Sequence, residues 1–234
     1  MIVSHKYKFI FLKTFKTAGT SIEVFLSQHC GPEDIVTPIR PYVAPHKARN
    51  WRGYFNPLPE YRILGAGEYM ATTRRLLKRK RFYNHMRGEV LRSRIPADIW
   101  DNYYKFTVER NPWDKIVSHY YDRAARNEGG LTFEEYLARG KFPLNYPIYT
   151  SGTEEPRLLV DTVVRYENLT EGLGEVFDRL GIPFSGSLGV RAKGGWRRDR
   201  RPCQDFYSTE QRGFVARVFA TEIALHGYTF PGPD

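Results

Sequence analysis

The chain has 234 residues, 41% hydrophobic and 15% aromatic, which is ample for a packed α/β core and unlike a disordered chain. No apolar run approaches the length of a membrane span, and two cysteines, Cys30 and Cys203, are too few for a disulfide framework and lack metal-ligand spacing. A net charge of +10 requires an anionic partner, but nucleic acid, an acidic membrane and a charged nucleotide would all satisfy it, so position has to discriminate.

The opening Met-Ile-Val-Ser-His-Lys-Tyr-Lys leads directly into an apolar strand at Lys8–Leu12, with no room for a secretory leader, so a cytoplasmic location is expected. After Lys13-Thr14-Phe15-Lys16-Thr17-Ala18-Gly19-Thr20-Ser21, Ile22, Phe25 and Leu26 fall on one helical face. The stretch is therefore a tight strand-to-helix turn. Such a turn aims successive backbone N–H groups and the positive helix end at one spot, which favours phosphate or sulfate. Thr17, Thr20 and Ser21 add hydroxyl donors, and Lys16 can bring a full charge to a bridging oxygen. A triphosphatase loop places its Lys-Ser/Thr after the last glycine, whereas Lys16 precedes Gly19. The order Lys16-Thr17-Ala18-Gly19-Thr20-Ser21 instead resembles the 5′-phosphosulfate loop of sulfotransferases that use 3′-phosphoadenosine-5′-phosphosulfate (PAPS). The plainer alternative is a Thr/Ser N-cap on a surface helix.

From Cys30 to about Pro59 prolines, glycines and aromatics read as a long loop, and the whole segment of about 30–81 as a substrate-side insertion. His46 lies here and reads first as a solvated loop histidine. Arg74–Arg81 has six basic residues in eight, either a solvated helical face or a surface for a polyanion or membrane headgroups. Short helices are expected over Met86–Ile95 and from Pro96, leading into a strand at Tyr104–Val108.

Beyond that strand stands Arg110-Asn111-Pro112-Trp113-Asp114, then Ser118 about two turns along a helix. Asn111 suits the N-cap, Pro112 the first helical position, and Asp114 a box-like cap. An extended Arg110 can lie along that helix and share one phosphate with the Ser118 hydroxyl. The segment resembles the 3′-phosphate motif of the sulfotransferases. Thr132 and Glu135 form a capping box, a third strand follows at Thr162–Glu167, and a helix runs from Leu169 to Leu180, stopped by Gly181. Arg165-Tyr166-Glu167 resembles a strand-to-helix junction of that family and equally fits an internal Arg–Glu pair. Arg191, Lys193, Arg197 and Arg198 stand in a basic loop loosely similar to the one that closes over the 3′-phosphate in cytosolic sulfotransferases. Ser208 and Gln211 cap a last helix whose Val215, Val218, Phe219 and Ile223 make one core stripe.

The loops at the strand ends of an open parallel sheet share one crevice, which places Lys16 and Arg110 on one ligand. From Lys8 to Tyr228 the chain is identified as resembling a PAPS-dependent sulfotransferase of the bacterial type related to carbohydrate sulfotransferases. The resemblance implies one α/β domain over 1–234, a P-loop-like three-layer fold with a central, mainly parallel sheet. It implies PAPS as donor, bound by Lys13 and Lys16 through Ser21, by Arg110 and Ser118, and by Arg191, Lys193 and Arg197. Sulfuryl transfer is a loose in-line displacement in which Lys16 meets charge on the leaving phosphate and a histidine serves as base. His85, between the two motifs, takes that role, with His46 second and His119 third. No metal is required. The expected acceptor is a glycan, glycolipid or other hydroxyl compound, an anionic one suiting the charge, with room for peripheral membrane association. The loop from Leu144 to Glu155 is expected to help shape the acceptor pocket. A nucleotide kinase is the nearest rival reading and a basic nucleic-acid-binding protein the rival from another class, although no nucleic-acid motif appears.

Overall fold

Successive side chains of a strand point to opposite faces, and Phe9-Ile10-Phe11-Leu12 is apolar on both, so this strand has to lie between two layers. A computed structural model describes residues 1–126, 130–152, 155–190 and 201–232. Its elements begin with β1 (Ile2–Ser4), β2 (Phe9–Leu12), α1 (Gly19–His29), β3 (Ile35–Val36), α2 (Leu58–Leu64), α3 (Tyr69–Leu77), α4 (Gly88–Arg92) and α5 (Ala97–Asn102). There follow β4 (Tyr104–Glu109), α6 (Pro112–Ala124), α7 (Phe133–Ala138), α8 (Tyr146–Tyr149), β5 (Thr150–Ser151) and β6 (Arg157–Leu158). The last are β7 (Thr162–Arg165), α9 (Leu169–Leu180), α10 (Thr209–Val218) and α11 (Ala220–His226).

The central sheet has the order β3-β1-β2-β4-β7. β2, β4 and β7 are parallel neighbours, while β1 runs antiparallel to both β2 and β3. Every strand but β1 thus points the same way, as expected of a mainly parallel sheet. Phe9 and Phe11 pack with Phe106, with Ile22 and Leu26 of α1, and with Leu173, Val176 and Phe177 of α9. Ile10 and Leu12 face the other way, onto Met86, Val90, Leu91 and Trp100. Alternation along β2 therefore builds the three layers. A third cluster joins Trp113 and Ile116 of α6 to Tyr136 and Leu137 of α7 and to Val215 and Phe219.

Three expectations need correcting. The first residues are a strand of their own, β1, whose Ile2 opposes Phe11. The segment from residue 30 contributes the edge strand β3 before it turns outward into α2 and α3. The last helix is two: the chain leaves helical geometry at Phe219 (φ −106°, ψ 23°) so that this fully buried ring and Val215 both reach the α6–α7 cluster. The capping boxes at Thr132/Glu135 and Ser208/Gln211 form as expected, and Gly181 closes α9 in the left-handed conformation.

Candidate active site

The turn between β2 and α1 is fixed from beneath. Thr14 Oγ1 donates to the Val108 carbonyl in β4 and lies 2.8 Å from Thr17 Oγ1, so the Thr17 hydroxyl is engaged inside the turn. The Phe15 N–H donates to Asn145 Oδ1 at 2.8 Å, and the Phe15 carbonyl accepts from Asn145 Nδ2 at 3.1 Å. This two-point bond imitates one rung of a β-ladder. The same Nδ2 donates to Glu109 Oε1 at 3.0 Å, at the end of β4, so one buried amide ties the first turn to the residue preceding Arg110. Lys16 (φ 60°) and Ala18 (φ 56°) are both left-handed, which curves the turn into a concave nest of N–H groups. At Gly19 a Cβ would stand 2.8 Å from Lys13 Cγ, so only glycine permits this approach. Ala18 provides no side-chain cap, and Ala18, Gly19, Thr20 and Ser21 line a cavity of about 1180 Å³.

Cations surround that cavity, each on a different footing. Lys13 Nζ bonds Glu23 Oε2 at 2.5 Å, so its charge is offset under the turn. Lys16 Nζ stands 4.0 Å from Asp122 Oδ2. Burial pushes the Asp122 carboxyl up, but Lys16 and Arg126 outweigh it and hold the group below its usual range. Arg110 lies along α6 as expected: Nε and Nη2 donate to Asp114 Oδ2 at 2.8 and 2.5 Å, Nη1 donates to the Lys16 carbonyl at 3.1 Å, and its guanidinium covers the Tyr166 ring at 4.1 Å. Asp114 is thus the arginine's partner and not the second half of a capping box. Asn111 does cap α6, accepting from the Trp113 N–H, but its own N–H donates to Glu167 Oε1 at 2.7 Å. Glu167 is therefore not paired with Arg165, whose guanidinium donates to the His226 carbonyl. Ser118 lines the same cavity as Arg110. Arg191, Lys193, Arg197 and Arg198 lie outside the described residues.

The three histidines separate clearly. His85 lines the cavity, stacked on Phe15 with ring centroids 3.9 Å apart, and its Nδ1 is 3.1 Å from the Lys13 carbonyl. A carbonyl only accepts, so in the neutral ring Nδ1 carries the proton and Nε2 the lone pair. His119 also lines the cavity, but Nδ1 meets Tyr136 Oη at 2.8 Å and Nε2 accepts from Arg123 Nε at 3.4 Å. Burial, then the charges of Arg123 and Lys16, bring His119 down to about 4. His46 is not the solvated loop histidine expected: it is buried, lies outside the cavity lining, and burial above all lowers it to about 4.

Several residues of the site went unnoticed in the sequence. Asp122 follows Ser118 by four on α6, a helical spacing that marks it as a neighbour in retrospect. Arg123, Arg126, Arg40 and Lys80 also line the cavity, as do Trp51 and Tyr83. Asn145 carries no local signal at all. The segment Leu144–Glu155, expected to shape an acceptor pocket, contributes no lining residue among its described positions.

Comparison with known proteins bears on this arrangement. The profile of a sulfotransferase family matches residues 1–184. An uncharacterized protein of Archaeoglobus fulgidus is 36% identical over 98 residues, covering 40% of this chain and 81% of its own length. Among solved structures, a sulfotransferase from Alicyclobacillus acidocaldarius is similar over 94% of this chain and 96% of its own, at 19% identity and a TM-score of 0.41, too loose a likeness to add to the family match. The chain belongs to the sulfotransferase family, whose general chemistry is the transfer of a sulfuryl group.

Proposed function

We propose that this protein transfers the sulfuryl group of PAPS to a hydroxyl of a glycan or glycolipid acceptor, in one catalytic domain whose segment of about 30–81 faces the acceptor. The observation that carries this reading is the direct bond from Arg110 Nη1 to the Lys16 carbonyl, which sets both phosphate motifs on one cavity. The lining fits a multiply charged nucleotide: among the described residues eight cationic side chains line the cavity against one acid, Asp122.

The donor supplies an activated sulfuryl group on a nucleotide leaving group. The N–H groups of Ala18–Ser21 hold the 5′-phosphate end, and Lys16 meets the negative charge that grows there, the kind of preorganised stabilisation that dominates such transfers. Lys13, neutralised by Glu23, shapes the turn. Arg110 and Ser118 hold the 3′-phosphate, with Arg191, Lys193 and Arg197 assigned to the same end. His85 takes the acceptor's hydroxyl proton at Nε2, its ring orientation fixed by the Phe15 stack and the Lys13 carbonyl. Trp51 and Tyr83 line the cavity as aromatic groups on which an acceptor sugar would pack. No helix among the described residues is long and apolar enough to cross a membrane, and the reading places the enzyme in the cytoplasm, where it acts in solution or at a membrane surface.

The test is calorimetric titration with 3′-phosphoadenosine-5′-phosphate, beside ADP and ATP, without metal. Tight binding of the bisphosphate with much weaker ADP is expected. Binding of ATP only with magnesium, or no nucleotide binding, overturns the reading.

A further inference from the structure

Among the described residues seven large hydrophobic side chains are exposed, and six of them, Tyr42, Tyr54, Leu58, Tyr69, Met70 and Leu77, fall in one segment; the seventh is Leu158. That segment runs into the basic stretch Arg74–Arg81. α3 shows how the two features combine. Its Thr72 is buried, and its Arg75 turns inward to Glu60 and Glu68. Met70, Arg74 and Leu77, spaced i, i+4, i+7, therefore share the outward face, with Met70 86% and Leu77 78% exposed. A helix of a soluble domain ordinarily buries its apolar stripe. This one buries a threonine, half-buries Leu76 and the ion-paired Arg75, and presents methionine and a second leucine to water.

Arg74 and Lys78 flank the two apolar side chains and form no ion pair among the described residues. Two residues beyond the end of α3, Arg79 lies over the exposed Tyr54 ring and donates to its hydroxyl at 2.9 Å, a second cation beside an exposed apolar side chain. Three residues beyond the end of α3, Lys80 lines the cavity together with Arg40 and Trp51. The exposed face thus ends three residues of chain from a side chain of the cavity lining.

Cations around protruding apolar side chains match a headgroup layer, where the apolar groups reach the acyl boundary and Lys or Arg meet anionic lipids. A polysaccharide or nucleic acid would use the cations and gain nothing from Met70 and Leu77. A protein groove would use the apolar pair and have no need of Arg74 and Lys78. We infer that the outward face of α3 docks this protein on an anionic lipid surface, bringing the cavity mouth against the headgroups. That the acceptor hydroxyl is itself carried on such a headgroup rests on the sulfotransferase reading above; the docking does not.

The test is co-sedimentation of the full chain with vesicles of phosphatidylcholine alone and of phosphatidylcholine mixed with phosphatidylglycerol. Binding to the mixed vesicles, weakened by salt, and none to the neutral ones is expected. Arg74→Gln/Lys78→Gln should lower partitioning about 25-fold, from about fivefold per cation. Met70→Ser/Leu77→Ser should lower it about tenfold or more with the charges intact. These positions are on the surface, and unchanged titration with 3′-phosphoadenosine-5′-phosphate and an unchanged circular dichroism melt would show that both variants remain folded. Absence of binding by the native chain overturns the inference. So does an unaffected Met70→Ser/Leu77→Ser variant or an unaffected charge variant, since either would show that the vesicles are bound without the paired apolar and cationic side chains of this face. Vesicle binding without nucleotide binding would remove the sulfotransferase reading and leave the docking; the reverse would do the opposite.

Discussion

In and beneath the β2–α1 and β4–α6 turns Lys13, Lys16, Arg110 and Lys115 face Glu23, Asp122, Asp114 and Glu109, whereas around the end of α3 Arg74, Lys78 and Lys80 face no acid among the described residues. The difference follows burial. A buried cation without an opposite charge is strongly unfavourable, so an acid beside each of the four offsets its charge and holds its position. A solvated cation needs no partner and acts through its field at longer range. Lys80 lies between the two situations: its ammonium is lowered by burial first and then by Arg40 and Lys78. Positive charge thus does two jobs here, holding geometry on one side and attracting anions on the other.

The largest effect that can break this contrast is at Lys16. Lys16→Ala should lower turnover about a thousandfold by removing charge stabilisation at the leaving group. Arg110→Ala should instead act mainly on affinity, raising the dissociation constant for 3′-phosphoadenosine-5′-phosphate about ten- to a hundredfold. Equal and mild effects in steady-state kinetics and calorimetry would remove the assigned division of labour.

Next in size is a stability comparison. Lys115→Met leaves Glu109 and Glu222 without their buried cation and should cost about 3–5 kcal/mol in urea unfolding. Arg74→Ala should stay within about 0.5 kcal/mol. Similar losses in the two variants would mean that the α3 cations are structural after all.

His85→Ala should reduce turnover about a hundredfold or more while leaving bisphosphate affinity within about twofold. Near-normal turnover would move the base role elsewhere, although His46 is buried off the cavity and both ring nitrogens of His119 are engaged.

The smallest effect is a pH slope. His46 and His119 are held at about 4 in the folded protein against an ordinary 6.5, so between those values the unfolded chain binds more protons. Their contribution is fully present above 6.5 and is lost as pH falls toward 4, about 1–3 kcal/mol for each. His46→Leu should flatten the fall of the urea midpoint over this range. An unchanged slope would show that His46 titrates normally.

What could be read from the sequence follows the range of the interactions. The β2–α1 turn, the Asn111-Pro112 start of α6 and both capping boxes are decided by residues a few positions apart, and all were legible. β1 is not legible because its three residues offer too short an alternation and gain their place only by pairing with β2 and β3. The break at Phe219 is not legible because an unbroken stripe already satisfies helical periodicity, and only packing against α6 and α7 shows that the helix bends there. Asp122 was one helical step from Ser118 and within reach. Asn145 was not, since its contacts with Phe15 and Glu109 cross 130 and 36 positions of chain.

The Asn145 rung has a practical consequence for protein engineering. Residues just before α8 would seem a safe place for a swap, being remote from the cavity in sequence and absent from its lining. Yet the amide there sets the height of Phe15 and, through the Phe15–His85 stack, the tilt of the imidazole. A graft that replaced this short segment while losing its asparagine would disturb both the turn and the imidazole at once. A library varied everywhere in the segment except position 145 would leave both in register.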